Sequence, residues 1–403
     1  MRLIFQDPRF RLLWLSSTFN DMSLMMHMMV QGWLTLTITD SPFWVGAAMG
    51  MNGLGLMCFS GVGGVLADRL DRRKLIMASQ TVQITLSVAL AALTFTDQIQ
   101  LWHILAAAFI EGMAVAAKVP ARMALTLDVV GRERLLSATA ANFAGMTVMG
   151  VVAPLVGGAV ISAFDIAWAY VIMAGGRLTS TAILLNLRGV ARVEAGVGSP
   201  WQDLKQGVRY VVTTPPVRTL ILIVLVTESL GWSHESMLPV MARDVLDVGA
   251  SGLGYLLATA AGGATIATVI VSNLDEVRDK GRLMLVGLGG FGLFLMLFAA
   301  STWLPLSMIL LALSYAAVMA YETTLSTLLQ TSVPDQMRGR VLSFQTFTWG
   351  TSQVSGFHMG AIANAVGAPV AIAIAGGLVM LNALRLLPTA SRFREQPDQA
   401  ADH

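Results

Sequence analysis

The feature that most constrains this chain is a run of 27 residues, Ser41 to Ala67, without a single Asp, Glu, Lys or Arg. About 20 apolar residues in a helix cross the hydrocarbon core of a bilayer, where only a helix or a closed barrel satisfies every backbone group. Charge-free runs follow at Leu75–Thr96, Leu135–Phe164, Val248–Leu274, Leu283–Tyr321 and Val341–Leu384. The last two are long enough for two spans each and break at "STWLP" and "AVGAP", so each reads as a helical hairpin with a short turn. Runs interrupted by buried charge add spans near Leu12–Thr39, Leu101–Ala117, Ile166–Leu187 and Thr219–Met241, which makes twelve. Only 12% of the residues are charged, against about 25% in a soluble domain.

Lys and Arg accumulate on the cytoplasmic side of membrane proteins. The two tails and every second connection hold 24 of the 26 basic residues; only Arg243 lies in the alternate connections, and Arg177 is inside a span. Both termini are therefore expected in the cytoplasm of a multi-pass protein of the inner or plasma membrane. The start, "MRLIFQDPRFRLLWL", reads as a cytosolic tail entering span 1, not as a signal peptide. The single cysteine, Cys58, lies in span 2 and reports nothing about compartment.

The long connection 188–218 divides the chain into six-span bundles at 1–187 and 219–403. Within it, Ser199-Pro200 opens a stretch with apolar Trp201, Leu204, Val208, Val211 and Val212, read as an amphipathic helix on the membrane surface, ended by Pro215-Pro216. The halves repeat. An offset of 208 lays "SNLDEVRDKGRL" (272–283) on "GVLADRLDRRKL" (64–75), matching Glu276 with Asp68, Lys280 with Arg72 and Arg282 with Lys74. At 206, Arg134-Leu135-Leu136-Ser137 falls on Arg340-Val341-Leu342-Ser343. Secondary transporters are often built by such duplication, with substrate held near the midplane between the repeats.

The stretch Gly64, Leu66, Ala67, Asp68, Arg69, Arg72, Arg73 resembles the signature between spans 2 and 3 of the major facilitator superfamily, with Asp71 in place of its second glycine. Around it, "FRLLWLSSTFNDM", "PARMALTLDVV" and "SVPDQMRGRVLS" are similar to the branch of drug and siderophore exporters, and the resemblance runs nearly end to end. It implies an all-α membrane protein of twelve transmembrane helices in two pseudo-symmetric bundles. It also implies a gating latch between the halves: Gly64 for close helix approach, Asp68 at the positive N-terminus of span 11 near Arg340, and Arg72 paired with Asp68 and with Asp128 of span 4. Glu276, Lys280 and Arg282 would be its second-half copy. In span 5, "GVVAPLVGG" keeps Gly150, Pro154, Gly157 and Gly158 of a pattern common in exporters, where it kinks and packs the helix. Lys118 stands where relatives often have an acid.

An ionisable group near the bilayer centre costs about 2.5 kcal/mol or more, so each is a functional candidate. Asp21 and Glu228 sit midway along spans 1 and 7, related by an offset of 207, and each precedes a histidine by six residues, His27 and His234. They are expected to face each other across the pseudo-twofold axis. Burial raises a carboxylate pKa and a nearby cation lowers it, so a carboxylate moving between wet and closed surroundings can carry a proton. Arg177 needs a partner, either Glu111 or an anionic substrate. Glu322 in span 10 is a further candidate.

No P-loop lysine, metal-ligand spacing or nucleophile–base pattern is visible, so neither an enzyme, a metal nor a cofactor is expected. The expected partners are a small-molecule substrate, protons and the bilayer, with no nucleic acid, and the chain is expected to act as a monomer. The expected activity is alternating-access export of a small amphipathic, drug-like or siderophore-like molecule by proton antiport. The 24 methionines and 9 tryptophans suit a soft apolar site. Import of a polar metabolite and a non-transporting scaffold are the alternatives.

Overall fold

The computed structural model describes residues 4–187, 209–210, 212–271, 279–332, 348 and 350–388. After a short 3-10 turn at Ile4–Gln6, six helices form the first half: α1 (Pro8–Thr39), α2 (Pro42–Arg69), α3 (Arg72–Phe95), α4 (Leu101–Val130), α5 (Leu135–Ala163) and α6 (Ile166–Leu185). The second half holds an irregular α7 (215–245), then α8 (Gly249–Val271), α9 (Lys280–Ala299), α10 (Leu304–Ser332), α11 (Gly356–Val366) and α12 (Ala368–Leu386). Among the described residues nine helices are long and apolar enough to cross a membrane. The other three are α1, whose buried face carries Ser17, Asn20, Asp21, His27 and Gln31, the broken α7, and the short described part of span 11. The surface linker helix expected at 199–212 falls largely outside the described residues, as do Glu276 and the start of span 11.

The repeat is visible in the helix starts. Asp71 caps α3 by accepting from the Lys74 amide at 2.9 Å, and Asp279 caps α9 by accepting from the Arg282 amide at 3.2 Å. An aspartate satisfies a donor that the first helical turn cannot pair, which accounts for Asp71 where the family pattern has glycine. Asp40 and Asp247, 207 apart, both take left-handed backbone at φ 48° and 52° in the turns after α1 and α7.

Span 4 corrects the sequence reading. It runs on from Ala117 to Val130, so Lys118 and Arg122 lie in a helix and not in a connection. Pro120 does not end it. A helix-interior proline displaces the carbonyl four residues back, here that of Ala116, and that carbonyl packs against Gly63 of α2 where no Cβ would fit. α7 is the opposite case: an α-helix (Pro215–Val226) gives way to a π turn (Thr227–Gly231), a 3-10 segment (Trp232–Met237), one short α turn and a second π turn (Met241–Val245). Such irregular backbone survives in a membrane where neighbouring helices bury it.

Within the halves α2 lies against α4, and α9 against α10 and α12; across them α5 meets α8 and α2 meets α11. These seams are tightest at the end far from the two chain termini, called here the distal end. Gly46 and Gly360 leave no room for a Cβ against Gly356 and Phe43, and Gly254 lies on the Pro154 carbonyl and Gly158. Ser251 donates to Ser162 at 2.7 Å, and Arg243 bonds the Leu36 carbonyl at 3.1 Å and pairs with Asp40. Toward the terminal end, Gly61 and Gly64 of α2 and Gly262 of α8 have nothing within 4 Å. No described residue makes the close approach expected at Gly64, and the start of span 11, its expected partner, lies outside the described residues. Trp102 and Trp303 are exposed beside the distal turns, where amphipathic rings settle at a membrane interface.

Candidate functional site

The buried charges of the first half are linked to one another. On α4, Glu111, Lys118 and Arg122 are spaced seven and four apart, which points them to one side of the helix. Arg177 of α6 donates to Glu111 Oε1 at 2.6 Å, with both side chains 1% exposed. It also donates to Ser87 Oγ at 2.8 Å and to the Gln83 carbonyl at 3.0 Å. Gln83 Nε2 reaches the same Glu111 oxygen at 2.9 Å. From there the network runs to Lys118, whose Nζ donates to Gln83 Oε1 at 2.7 Å and to Asn20 Oδ1 at 2.9 Å. Asn20 touches Asp21 at 3.3 Å, and Arg122 pairs with Asp21 at 2.6 Å. Of the two partners open to Arg177, the structure therefore supplies Glu111. Asp21, read from the sequence as a carboxylate facing its counterpart, is held by Arg122. His27 is buried nearby, and neither ring nitrogen has a hydrogen-bond partner.

The second half is built differently. Glu228 in the first π turn of α7 is 7% exposed and accepts from Ser352 ahead of α11. Trp232 Nε1 donates to Glu322 of α10 at 3.1 Å, and Tyr315 OH donates to Glu235 at 2.6 Å. Trp232 stands edge-on to Tyr315, ring centres 5.4 Å apart, and His234 lies 5.9 Å from Phe291 and 5.7 Å from Tyr315. His234 Nδ1 meets the Gly231 carbonyl at 2.6 Å, and its Nε2 has no partner. Among the described residues no lysine or arginine pairs with any of the three glutamates. Sequence reasoning passed over Glu235, although it follows Glu228 by seven residues, two helical turns on the same face.

At the end of α2 the expected latch residues are partly joined. Arg72 pairs with Asp128 of α4 and donates to the Ala124 carbonyl at 3.4 Å, and Arg73 bonds the Leu185 carbonyl of α6 at 2.8 Å. Asp68 and Arg69 are exposed, and Asp68 makes no ion pair among the described residues. Of the second-half copy, Lys280 and Arg282 open α9. In α5, Pro154 and Gly158 form the distal seam with α8, Gly150 meets Ala261 of α8, and Gly157 faces Met26 and Met29 of α1.

A family model described as "Transmembrane secretion effector" matches residues 4–403. Curated relatives include the enterobactin exporter EntS of Escherichia coli O81 (strain ED1a), 28% identical over 409 residues, covering 99% of this chain and 96% of that one. EntS of Shigella flexneri is also 28% identical, over 408 residues. Among solved structures, the nucleoside transporter NupG superposes with a TM-score of 0.78 at 12% identity, covering 97% of this chain and all of that one. An inward-facing bacterial homologue of the lysosomal transporter Spinster gives 0.73 at 16%, covering 97% and 98%.

Proposed function

Because the chain belongs to the transmembrane secretion effector family of major facilitator transporters, we propose that it expels a small amphipathic molecule from the cytoplasm in exchange for protons. It is a multi-pass membrane transporter and not an enzyme. On this reading both termini face the cytoplasm of the inner membrane, the bundles 1–187 and 219–403 rock about 188–218, and one chain is the working unit. The relatives named for enterobactin export support a drug- or siderophore-like cargo. The distal seam closed by Gly46, Gly158 and Arg243 then lies on the outer side, the arrangement in which cytoplasmic substrate loads.

The observation that carries the proton-coupled reading is the trio Glu228, Glu235 and Glu322, the first buried and the other two half-buried among aromatic rings, with no basic partner among the described residues. A carboxylate with no counter-ion must take up a proton or meet a cation when water is excluded. Asp21, the equivalent carboxylate of the first half, already has Arg122. Asp68, Arg72 and Asp128 would act as the inner latch, with Asp68 engaging span 11 only when that side closes.

The test is transport in proteoliposomes, with dyes and siderophores screened first for a transported compound. Glu228→Gln with Glu322→Gln should abolish pH-driven uphill transport and leave counterflow, which needs no net proton movement. Full gradient-driven transport in the double variant would remove the trio from the mechanism.

A further inference from the structure

The first-half network holds three cations, Lys118, Arg122 and Arg177, and two carboxylates, Asp21 and Glu111. Each arginine takes one acid at 2.6 Å, and Lys118 is left with none within 4 Å among the described residues. Its side chain is buried at 5% exposure and is held by two neutral acceptors, the amide oxygens of Asn20 on α1 and Gln83 on α3. The groups that face it are Asn20, Asp21 and His27 from α1, Gln83 from α3, Glu111 and Arg122 from α4, and Arg177 from α6. A small cavity lined by Ser16, Ser17, Asn20, Gln80, Lys118 and Arg122 adjoins it, and the Arg122 side chain is 28% exposed.

We propose that Lys118 is a second proton-exchange site of the transporter, in the half opposite the glutamates. Of the three cations only a lysine can release its proton in a protein; a guanidinium stays charged. The ammonium gives one proton to water in the cavity and becomes an amine with a free lone pair. Asn20 and Gln83 suit both forms, because a neutral amine keeps two N–H donors, one for each amide oxygen, while the carboxamide NH2 groups stay on Asp21 and Glu111. With Lys118 neutral, the remaining two cations and two carboxylates balance. With Lys118 charged, the first-half interior carries one positive charge in excess. A structural ammonium in this position would be expected against one of the two nearby acids, and both are already taken by arginine.

The inference rests on the proton-coupled reading, but its test does not require the substrate. Proton release by the full chain in proteoliposomes is counted with a pH-sensitive dye on stepping from about pH 5 to pH 9, below the ordinary range of lysine. Lys118→Met and Lys118→Arg should each release one proton fewer per chain than the unsubstituted protein. Lys118→Arg keeps the cation, so it reports even where Lys118→Met fails to fold. An unchanged count in either variant that folds would overturn the proposal, because a permanently charged lysine exchanges nothing over that range. The same count on Glu228→Gln/Glu322→Gln tests the glutamates separately, so either site can fail alone.

Discussion

The two halves descend from one pattern, yet they handle buried charge in opposite ways. In the first half, α1, α3, α4 and α6 knit five charged side chains into one hydrogen-bonded chain from Arg122 to Ser87. In the second, the three glutamates accept from Ser352, Trp232 and Tyr315, and among the described residues none meets a lysine or arginine. The offset of 206 that aligns Arg134-Leu135-Leu136-Ser137 with Arg340-Val341-Leu342-Ser343 sets Thr324 and Leu328 opposite Lys118 and Arg122, so neither cation has a charged counterpart in the other half. Thr324 and Leu328 are both buried, at 4% and 3% exposure. The difference separates two uses of charge in lipid. Paired charges fix helices against one another, and unpaired carboxylates remain free to exchange what neutralises them.

The largest effect should come from breaking the most buried pair. Arg177→Met leaves Glu111 without its cation and should cost about 3–5 kcal/mol, read as lower thermal stability of the purified protein in detergent. Arg177→Met combined with Glu111→Gln should recover most of that loss, since both charges are then gone. A smaller change is expected in the other half: Glu322→Gln keeps the acceptor for Trp232 and should alter stability by less than about 1 kcal/mol. Were Glu322→Gln as damaging as Arg177→Met, the contrast between the halves would fail. The paired caps provide a scale for what the repeat kept in common. Asp71→Ala and Asp279→Ala should each cost about 1 kcal/mol.

The smallest stability effect belongs to Arg243, the lone basic residue of the distal connections. Its pairs with Asp40 and Asp244 are exposed, so Arg243→Gln should change stability by about 0–1 kcal/mol. Its position against the topological bias is explained by its contacts, which join α7 to the end of α1 across the seam. Arg243→Gln should therefore raise the reactivity of a cysteine placed at Ser41 on the distal end. Unchanged labelling would show that the glycine contacts of Gly46, Gly158, Gly254 and Gly356 close that end alone.

Much of the fold was legible because lipid imposes a coarse rule on the sequence: long charge-free runs must be spans. The repeat was legible from charges at matched positions, and its caps at Asp71 and Asp279 bear that alignment out. The end of span 4 was not, for a physical reason. Lys118 and Arg122 look like cytoplasmic anchors until Asn20, Gln83 and Asp21, distant in sequence, are brought against them. The pairing of Asp21 was hidden by the same error. Glu111 with Arg177 could be posed as an alternative because both were mid-span, and the structure chose between its branches. Glu235 went unread because attention fixed on the one carboxylate that the repeat relates to Asp21.

The claim that the second half exchanges protons while the carboxylates of the first are held by arginine is tested most directly by infrared titration of the full chain in lipid, following the absorption of protonated carboxyl groups. A carboxyl band that titrates should be present in the unsubstituted protein, persist in Asp21→Asn and Glu111→Gln, and be lost or diminished in Glu228→Gln with Glu322→Gln. A band that survives in the Glu228/Glu322 variant and disappears with Asp21→Asn would contradict the account.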